Sequence, residues 1–339
     1  MMKRMLTLLA LAAFFVLAAG EDYDFYFVSD LHFGPEATIA PNAKIRAKGN
    51  VQRSDRATPA YENMFRHMAE HADAKTRFLV QCGDMVEGDA KGEAEHREQL
   101  NFALGLLKKY FKFPVYHVLG NHDARGEGGP EAIRAVLLPD LAKSIGRDSL
   151  ENTNYTVAVG DDLFVFSDFS EVVKDWPFLR ETLKSLEKRP RYLFIVTHVP
   201  FVHLARRPIV DELVGYNAIV LSGHVHAGYS VVYRKDGGSL AQVTVSSCLP
   251  TDVAKLRGGI SGTGPDACRA YMEKVAKNRY KPESLMKKYD AGWAPYLSGY
   301  AAFKGCGYLK IHVSDGGVRL EYQSANLQNP PASVDLIKK

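Results

Sequence analysis

The sequence predicts a layered α/β protein whose sheets contain both parallel and antiparallel strand pairs. Three observations lead there: five short apolar runs that read as buried strands, helical stripes between the early runs, and hairpin patterns later in the chain. At 339 residues, 46% hydrophobic and 24% charged, the chain can bury one large core or two modest ones.

The first twenty residues, "MMKRMLTLLALAAFFVLAAG", carry Lys3 and Arg4, an apolar stretch to Ala19 and then Gly20. They read as a cleavable signal peptide over 1–20, because the stretch falls short of the roughly 20 residues that a spanning helix needs. A periplasmic or secreted location follows as an expectation. Without Lys3 and Arg4, 41 basic residues face 39 acidic ones, a net charge of +2. Such a balance gives no electrostatic reason to bind nucleic acid or anionic lipid, and it points to a small partner. Oligomeric state stays open.

The first strand is "FYFVSD". A helix is then predicted from Thr58 as N-cap and Pro59 in the first turn, with Tyr61, Met64, Phe65, Met68 and Ala72 at helical spacing. "RFLVQCGD" is the second strand, and Leu100, Ala103, Leu104, Leu107 and Phe111 mark the next helix. "PVYHVLGN" follows, then a hairpin in "NYTVAVGDDLFVFSDFS", the strands "YLFIVTH" and "NAIVLSGH", and a second hairpin about "KDGG". From Leu249 to Pro295 glycine, lysine and arginine rise and strand runs vanish, so a loop-rich segment is expected. The hairpin "YLKIHVSDGGVRLEYQ" closes the chain. A main domain is thus expected over 21–249, with an extension over 250–339 packed on it. Of the four cysteines, Cys82 reads as a buried thiol, and Cys268 and Cys306 as the pair placed for a bridge.

All five apolar runs end in metal-ligand residue types: Asp30 and His32, then Asp84, then Asn121, His122 and Asp123, then His198, then His224 and His226. Side chains at the carboxyl ends of strands in such sheets converge on one crevice. Nine candidates exceed the ligands of one zinc ion, which takes four, or three and water. Two ions roughly 3.5 to 4 Å apart, bridged by a carboxylate, would use most of them. Nitrogen and oxygen donors without cysteine fit zinc, iron, manganese or another first-row ion.

Together, Asp30-x-His32, Gly83-Asp84, Gly120-Asn121-His122-Asp123, His198 and Gly223-His224-Val225-His226 resemble the calcineurin-like metallophosphoesterase family, with all five motif blocks in order over residues 30–226. The resemblance implies a four-layer sandwich of two packed mixed sheets flanked by helices, with 21–249 as the catalytic domain. It implies two divalent or trivalent first-row ions (Mn, Fe, Zn or similar), one held by Asp30, His32 and His226 and the other by Asn121, His198 and His224, with Asp84 bridging them. Metal-bound hydroxide would then attack phosphorus, His122 would protonate or stabilise the departing oxygen, and Asp123 would orient His122. The motif set looks more like that of bacterial phosphodiesterases of the cyclic-nucleotide and glycerophosphodiester type. Purple acid phosphatases carry a ligand tyrosine where this chain has Glu87, and secreted nucleotidases add a large C-terminal domain. A nuclease on longer nucleic acid and a non-catalytic scaffold of the same fold are the competing readings.

Arg125 stands two residues beyond Asp123, where its fork could meet a substrate phosphate or serve as a solvated loop charge. His203, Arg206 and Arg207 follow His198 in a loop that could border the pocket. His117 lies within a strand and is read as structural, and His67, His71, His96 and His312 are read as outside the site.

Overall fold

Residues 20–42, 52–201, 207–250, 253–277 and 281–338 are described by the structure, a computed structural model. The proposed leader over 1–20, apart from Gly20, lies outside the described residues, as do His203, Arg206 and the side chain of Arg207. Among the described residues no helix is long and apolar enough to cross a membrane.

The chain opens with β1 (Tyr23–Val28), β2 (Thr76–Cys82) and β3 (Val115–Val118). It continues with β4 (Tyr155–Val159), β5 (Asp162–Ser167), β6 (Leu193–Thr197), β7 (Ala218–Ser222), β8 (Tyr229–Lys235) and β9 (Gly238–Thr244). The last strands are β10 (Ile260–Thr263), β11 (Leu297–Phe303), β12 (Gly307–Ser314), β13 (Gly317–Ser324) and β14 (Ala332–Lys338). One sheet has six strands in the order β14-β13-β12-β1-β2-β3, and the other has eight in the order β10-β11-β8-β9-β7-β6-β5-β4. The pairs β1–β2, β2–β3, β5–β6, β6–β7 and β7–β9 are parallel, and the others are antiparallel.

The main helices are α1 (Gln52–Glu70), α2 (Glu93–Tyr110), α3 (Leu138–Ser144), α4 (Pro177–Lys184), α5 (Arg207–Val214), α6 (Gly264–Lys277) and α7 (Pro282–Gly292). Phe25 and Phe78 of one sheet meet Phe164 and Phe194 of the other, with Phe25 edge-on to Phe164 at 5.3 Å and to Phe194 at 5.6 Å. Buried aromatic side chains of this kind drive the two sheets together. Tyr61, Met64 and Phe65 of α1 and Leu100 of α2 cover the outer face of the six-stranded sheet. Leu179 of α4, Leu213 of α5, Met272 of α6 and Tyr289 of α7 cover the outer face of the eight-stranded one. The result is the expected four-layer α/β sandwich.

Four local expectations need correction. α1 begins at Gln52, so Thr58 and Pro59 lie inside it; Pro59 is exposed, and its missing N–H removes one bond of the helix ladder. The segment 250–295 is not loop-rich, since it holds α6 and α7. The stripe of Cys268, Met272 and Ala276 at i, i+4 and i+8 sits among polar residues that masked it. The last hairpin does not end the sheet, because β14 pairs with β13. Residues after Leu249 complete both sheets, with β11 on β8 and β12 on β1. None of the four cysteines forms a disulfide; Cys268 and Cys306 belong to apolar clusters on opposite sides of the sandwich, which rules out the expected bridge.

His117 on β3 is 2% exposed, consistent with its structural reading. Burial drives its pKa from 6.5 down to about 4, with Lys108 adding to the effect and Asp140 opposing it. The unfolded chain therefore binds the extra proton between those values, and stability falls as pH drops from about 6.5 to 4. Relative to a His117→Leu variant, the parent should lose about 3 kcal/mol between pH 7 and pH 4 in urea unfolding. A difference that does not vary with pH would contradict this.

Candidate metal centre

Five loops, each following a parallel strand, bring the predicted residues together. Asp30 and His32 follow β1, Asp84 follows β2, Asn121 to Asp123 follow β3, His198 follows β6 and His224 and His226 follow β7. The loops hold one another through backbone bonds: Asp30 N to Gly83 O at 3.1 Å, His32 N to Asp84 O at 3.0 Å and Gly223 N to His198 O at 3.0 Å.

The backbone here is strained. Asp30, His32, Asp84, His224 and His226 all have φ between +48° and +68°, in the left-handed region that side chains disfavour. Each such residue costs on the order of 1–3 kcal/mol, and clusters of them belong to functional sites. Gly120 and Gly223 are required for close approach: a Cβ on Gly120 would collide with the Asp84 carboxylate and backbone, and one on Gly223 with Ser29 and Asp30. Gly120→Ala should displace Asp84 and lower bound metal and activity at least about tenfold, as loss of ligand-orienting contacts does. Metal analysis alongside circular dichroism checks this; full metal content in a folded variant would contradict it.

Among the described residues the donor atoms form three groups; His32, Glu87 and His122 make up one, and the other two share Asp84. Asp30, His32, Asp84 and His226 form one, and Asp84, His198 and His224 the other, each with donors within 4.8 Å of one another. In the first, His32 Nε2 lies 3.0 Å from His226 Nε2, and His226 Nε2 lies 3.2 Å from Asp30 Oδ1. In the second, His198 Nε2 lies 3.2 Å from Asp84 Oδ2, and Asn121 Oδ1 lies 2.8 Å from His224 Nδ1. Such separations are close to those of neighbouring ligands each about 2.1 Å from one ion.

A cation fits this chemistry. His198 Nε2 is buried without a hydrogen-bond partner, although its Nδ1–H donates to the Cys82 carbonyl at 2.8 Å. That bond fixes the tautomer that leaves Nε2 free to bind metal. Against burial, the carboxylates of Asp84 and Asp30 push His198 up to about 9, while His226 and His198 outweigh burial to hold Asp30 low. His224 is pulled down by burial and by His198. Asp30, Asp84 and His198 are buried and His224 and His226 are exposed, so the centre opens to solvent at the loop after β7.

His122 stands beside the first group, its ring edge-on to His32 at 4.5 Å. The expectation that Asp123 orients it is corrected. The Asp123 carboxylate turns back into its own loop and accepts from Gly120 N at 2.8 Å and Val86 N at 3.0 Å. Burial and the Asp84 charge push Asp123 up to about 6. The residue that holds His122 is Glu87: His122 Nδ1–H donates to its carbonyl at 2.9 Å, and its Oε1 lies 3.3 Å from the same nitrogen. Glu87 Oε2 also lies 3.2 Å from His32 Nδ1, near enough for attraction although not aligned as a hydrogen bond. Against the cost of burial, His122 and then His32 hold the Glu87 carboxyl down to about 2. The charges of Glu87 and Asp84 raise His122 against burial, with Arg125 opposing.

In the sequence Glu87 stands out only as the place where purple acid phosphatases carry tyrosine. Its spacing, three residues after Asp84, was the available signal. Arg125 belongs to the site: its guanidinium lies 2.8 Å from His122 Nε2, 3.2 Å from Glu87 Oε1 and 2.7 Å from Asp89 Oδ2. His96 is buried and meets the Asp123 carbonyl at 2.7 Å, which makes it a support of the loop and not a ligand.

The calcineurin-like phosphoesterase family matches residues 23–228, more than half of the chain. No curated protein matches. Among solved structures, the chain is similar to one described as GAP50, the anchor in the inner membrane complex of Plasmodium. That likeness has a TM-score of 0.51 at 13% identity over 94% of this chain and 89% of that one. It is also similar to a structure of PhoD, with a TM-score of 0.50 at 12% identity over 94% of this chain and 70% of that one. At these identities the two structures speak to fold alone. With the family match over the residues that carry every predicted ligand, the chain is a member of the calcineurin-like phosphoesterase family.

Proposed function

We propose that the protein is an exported phosphohydrolase with a dinuclear metal centre, acting on a small phosphate ester, with diesters preferred over monoesters. One observation carries the reading: two clusters of metal-ligand donors that share a single buried carboxylate, Asp84. When bound, the ions supply Lewis-acid polarisation of the phosphoryl group and a nucleophile at neutral pH.

The chain's own residues do the rest. Asn121, a neutral donor, limits the centre's negative charge and so keeps it attractive to a phosphate. His122, with Nδ1–H tied to the Glu87 carbonyl, presents Nε2 as the atom that hands a proton to the departing oxygen. Arg125 caps Nε2 in this structure and is placed to exchange that contact for a phosphate oxygen. The export reading rests on the first twenty residues of the sequence.

A non-catalytic scaffold is the second reading, since a protein of similar fold is described as an anchor. Retention of all seven predicted ligands and of His122 favours catalysis here. The purified mature chain with added manganese should hydrolyse bis(p-nitrophenyl) phosphate and lose that activity on chelation. No turnover of mono- or diester model substrates with any first-row ion would overturn the proposal.

A further inference from the structure

Away from the metal centre, a cavity of about 460 Å³ opens between α5, the end of β8 and α7. It lies at the other end of the eight-stranded sheet: β8 runs antiparallel to β9, which is parallel to β7, so Lys235 ends β8 beside the start of β9. The candidate ligands His224 and His226 follow the opposite end of β7. The five residues of β7 alone separate the two by about 17 Å.

The walls are apolar and largely aromatic: Val210 and Val214 of α5 face Tyr233, Trp293 and Tyr296. The Tyr233 and Trp293 rings are 4.7 Å apart and tilted by 54°. Three lysines, Lys235, Lys287 and Lys288, also line the cavity, against one acid, Asp211. Asp211 pairs with Lys235 at 3.1 Å, and that ammonium also lies 5.7 Å from the centre of the Tyr296 ring. Lys287 and Lys288 are exposed and make no ion pair among the described residues, so the mouth carries uncompensated positive charge. Tyr233 is 3% exposed, and its hydroxyl is buried without a hydrogen-bond partner.

A volume in this range, apolar walls and a few polar groups at the mouth are the features of a small-molecule site. Aromatic walls select a flat unsaturated body, and the two free ammonium groups select an anionic head. We infer that this cavity binds a small aromatic carboxylate, at a site separate from the metal centre and independent of the function proposed for it.

Naphthalene-2-carboxylate is the probe, titrated into the full mature protein by calorimetry and by Trp293 fluorescence. Saturable binding with one site per chain is expected. The double variant Lys287→Glu, Lys288→Glu, altered only at exposed positions, should weaken it at least tenfold. Naphthalene-2-methanol, the neutral counterpart, and dodecanoate, an aliphatic carboxylate, should bind at least tenfold more weakly. No saturable binding overturns the inference, as does equal binding of the neutral compound or no response to charge reversal. Tighter binding of dodecanoate overturns the aromatic assignment. Chelation of metal should leave naphthalene-2-carboxylate affinity unchanged, and its loss would show that the two sites are not separate.

Discussion

Replacing Asp84 with alanine is expected to empty both metal positions and to lower kcat by about 10³-fold or more, since several kcal/mol of metal-supplied stabilisation would go with them. Among the described residues no other carboxylate is shared between two donor groups. Asp84 is 1% exposed, with Oδ2 3.2 Å from His198 Nε2 in one cluster and 3.8 Å from His32 Nε2 in the other. Its Oδ1 accepts from His122 N at 2.7 Å, so the side chain also fixes the turn that carries Asn121 and His122. The surrounding imidazoles overcome burial and hold its carboxyl well below the usual carboxylate range. Asp30→Ala should behave differently, emptying only the position formed with His32 and His226. Metal analysis of the two variants checks the contrast. Retention of both ions by Asp84→Ala would remove the bridging assignment.

His122→Ala should leave metal content intact and reduce kcat by about 10² to 10⁴, the range for loss of a positioned general acid. His122 shares a donor group with His32 and Glu87, but both its ring nitrogens are engaged, Nδ1 by Glu87 and Nε2 by Arg125. A drop in bound metal with the activity would show that His122 is a ligand. The assignment of Glu87 over Asp123 as the group that holds His122 sharpens the test. Glu87→Gln should lower the pKa seen in the pH–rate profile that His122 sets, because it removes a charge that raises it. Asp123→Asn should act mainly on stability, since that side chain closes its own loop through Gly120 N and Val86 N.

Much of this centre was legible before any coordinates. Strand ends are marked in sequence by an apolar run that stops at a polar residue, and five such stops held all seven predicted ligands together with His122. Side-chain direction was not legible. Asp123 adjoins His122 in the chain, yet in the folded turn its carboxylate points back to Gly120 N. Glu87 reaches His122 from 35 residues away because Phe33 O accepts its N–H and places its loop beside the Asp30–His32 turn.

Helices α6 and α7 escaped notice for a different reason. Their buried faces are narrow, Cys268, Met272 and Ala276 on one and Tyr289 on the other, so composition outweighed periodicity. The strand β14, "ASVDLIK", alternates weakly at the sheet edge, with only Leu336 and Ile337 buried. Such an edge strand is decided by its neighbour β13 more than by its own sequence.

The central claim is that two ions sit side by side on Asp84. Electron paramagnetic resonance of the manganese-loaded protein tests it most directly, because ions roughly 3.5 to 4 Å apart are magnetically coupled. A spectrum of an exchange-coupled manganese pair, lost in Asp84→Ala, is the expected result. A spectrum of isolated manganese at every loading would contradict the account.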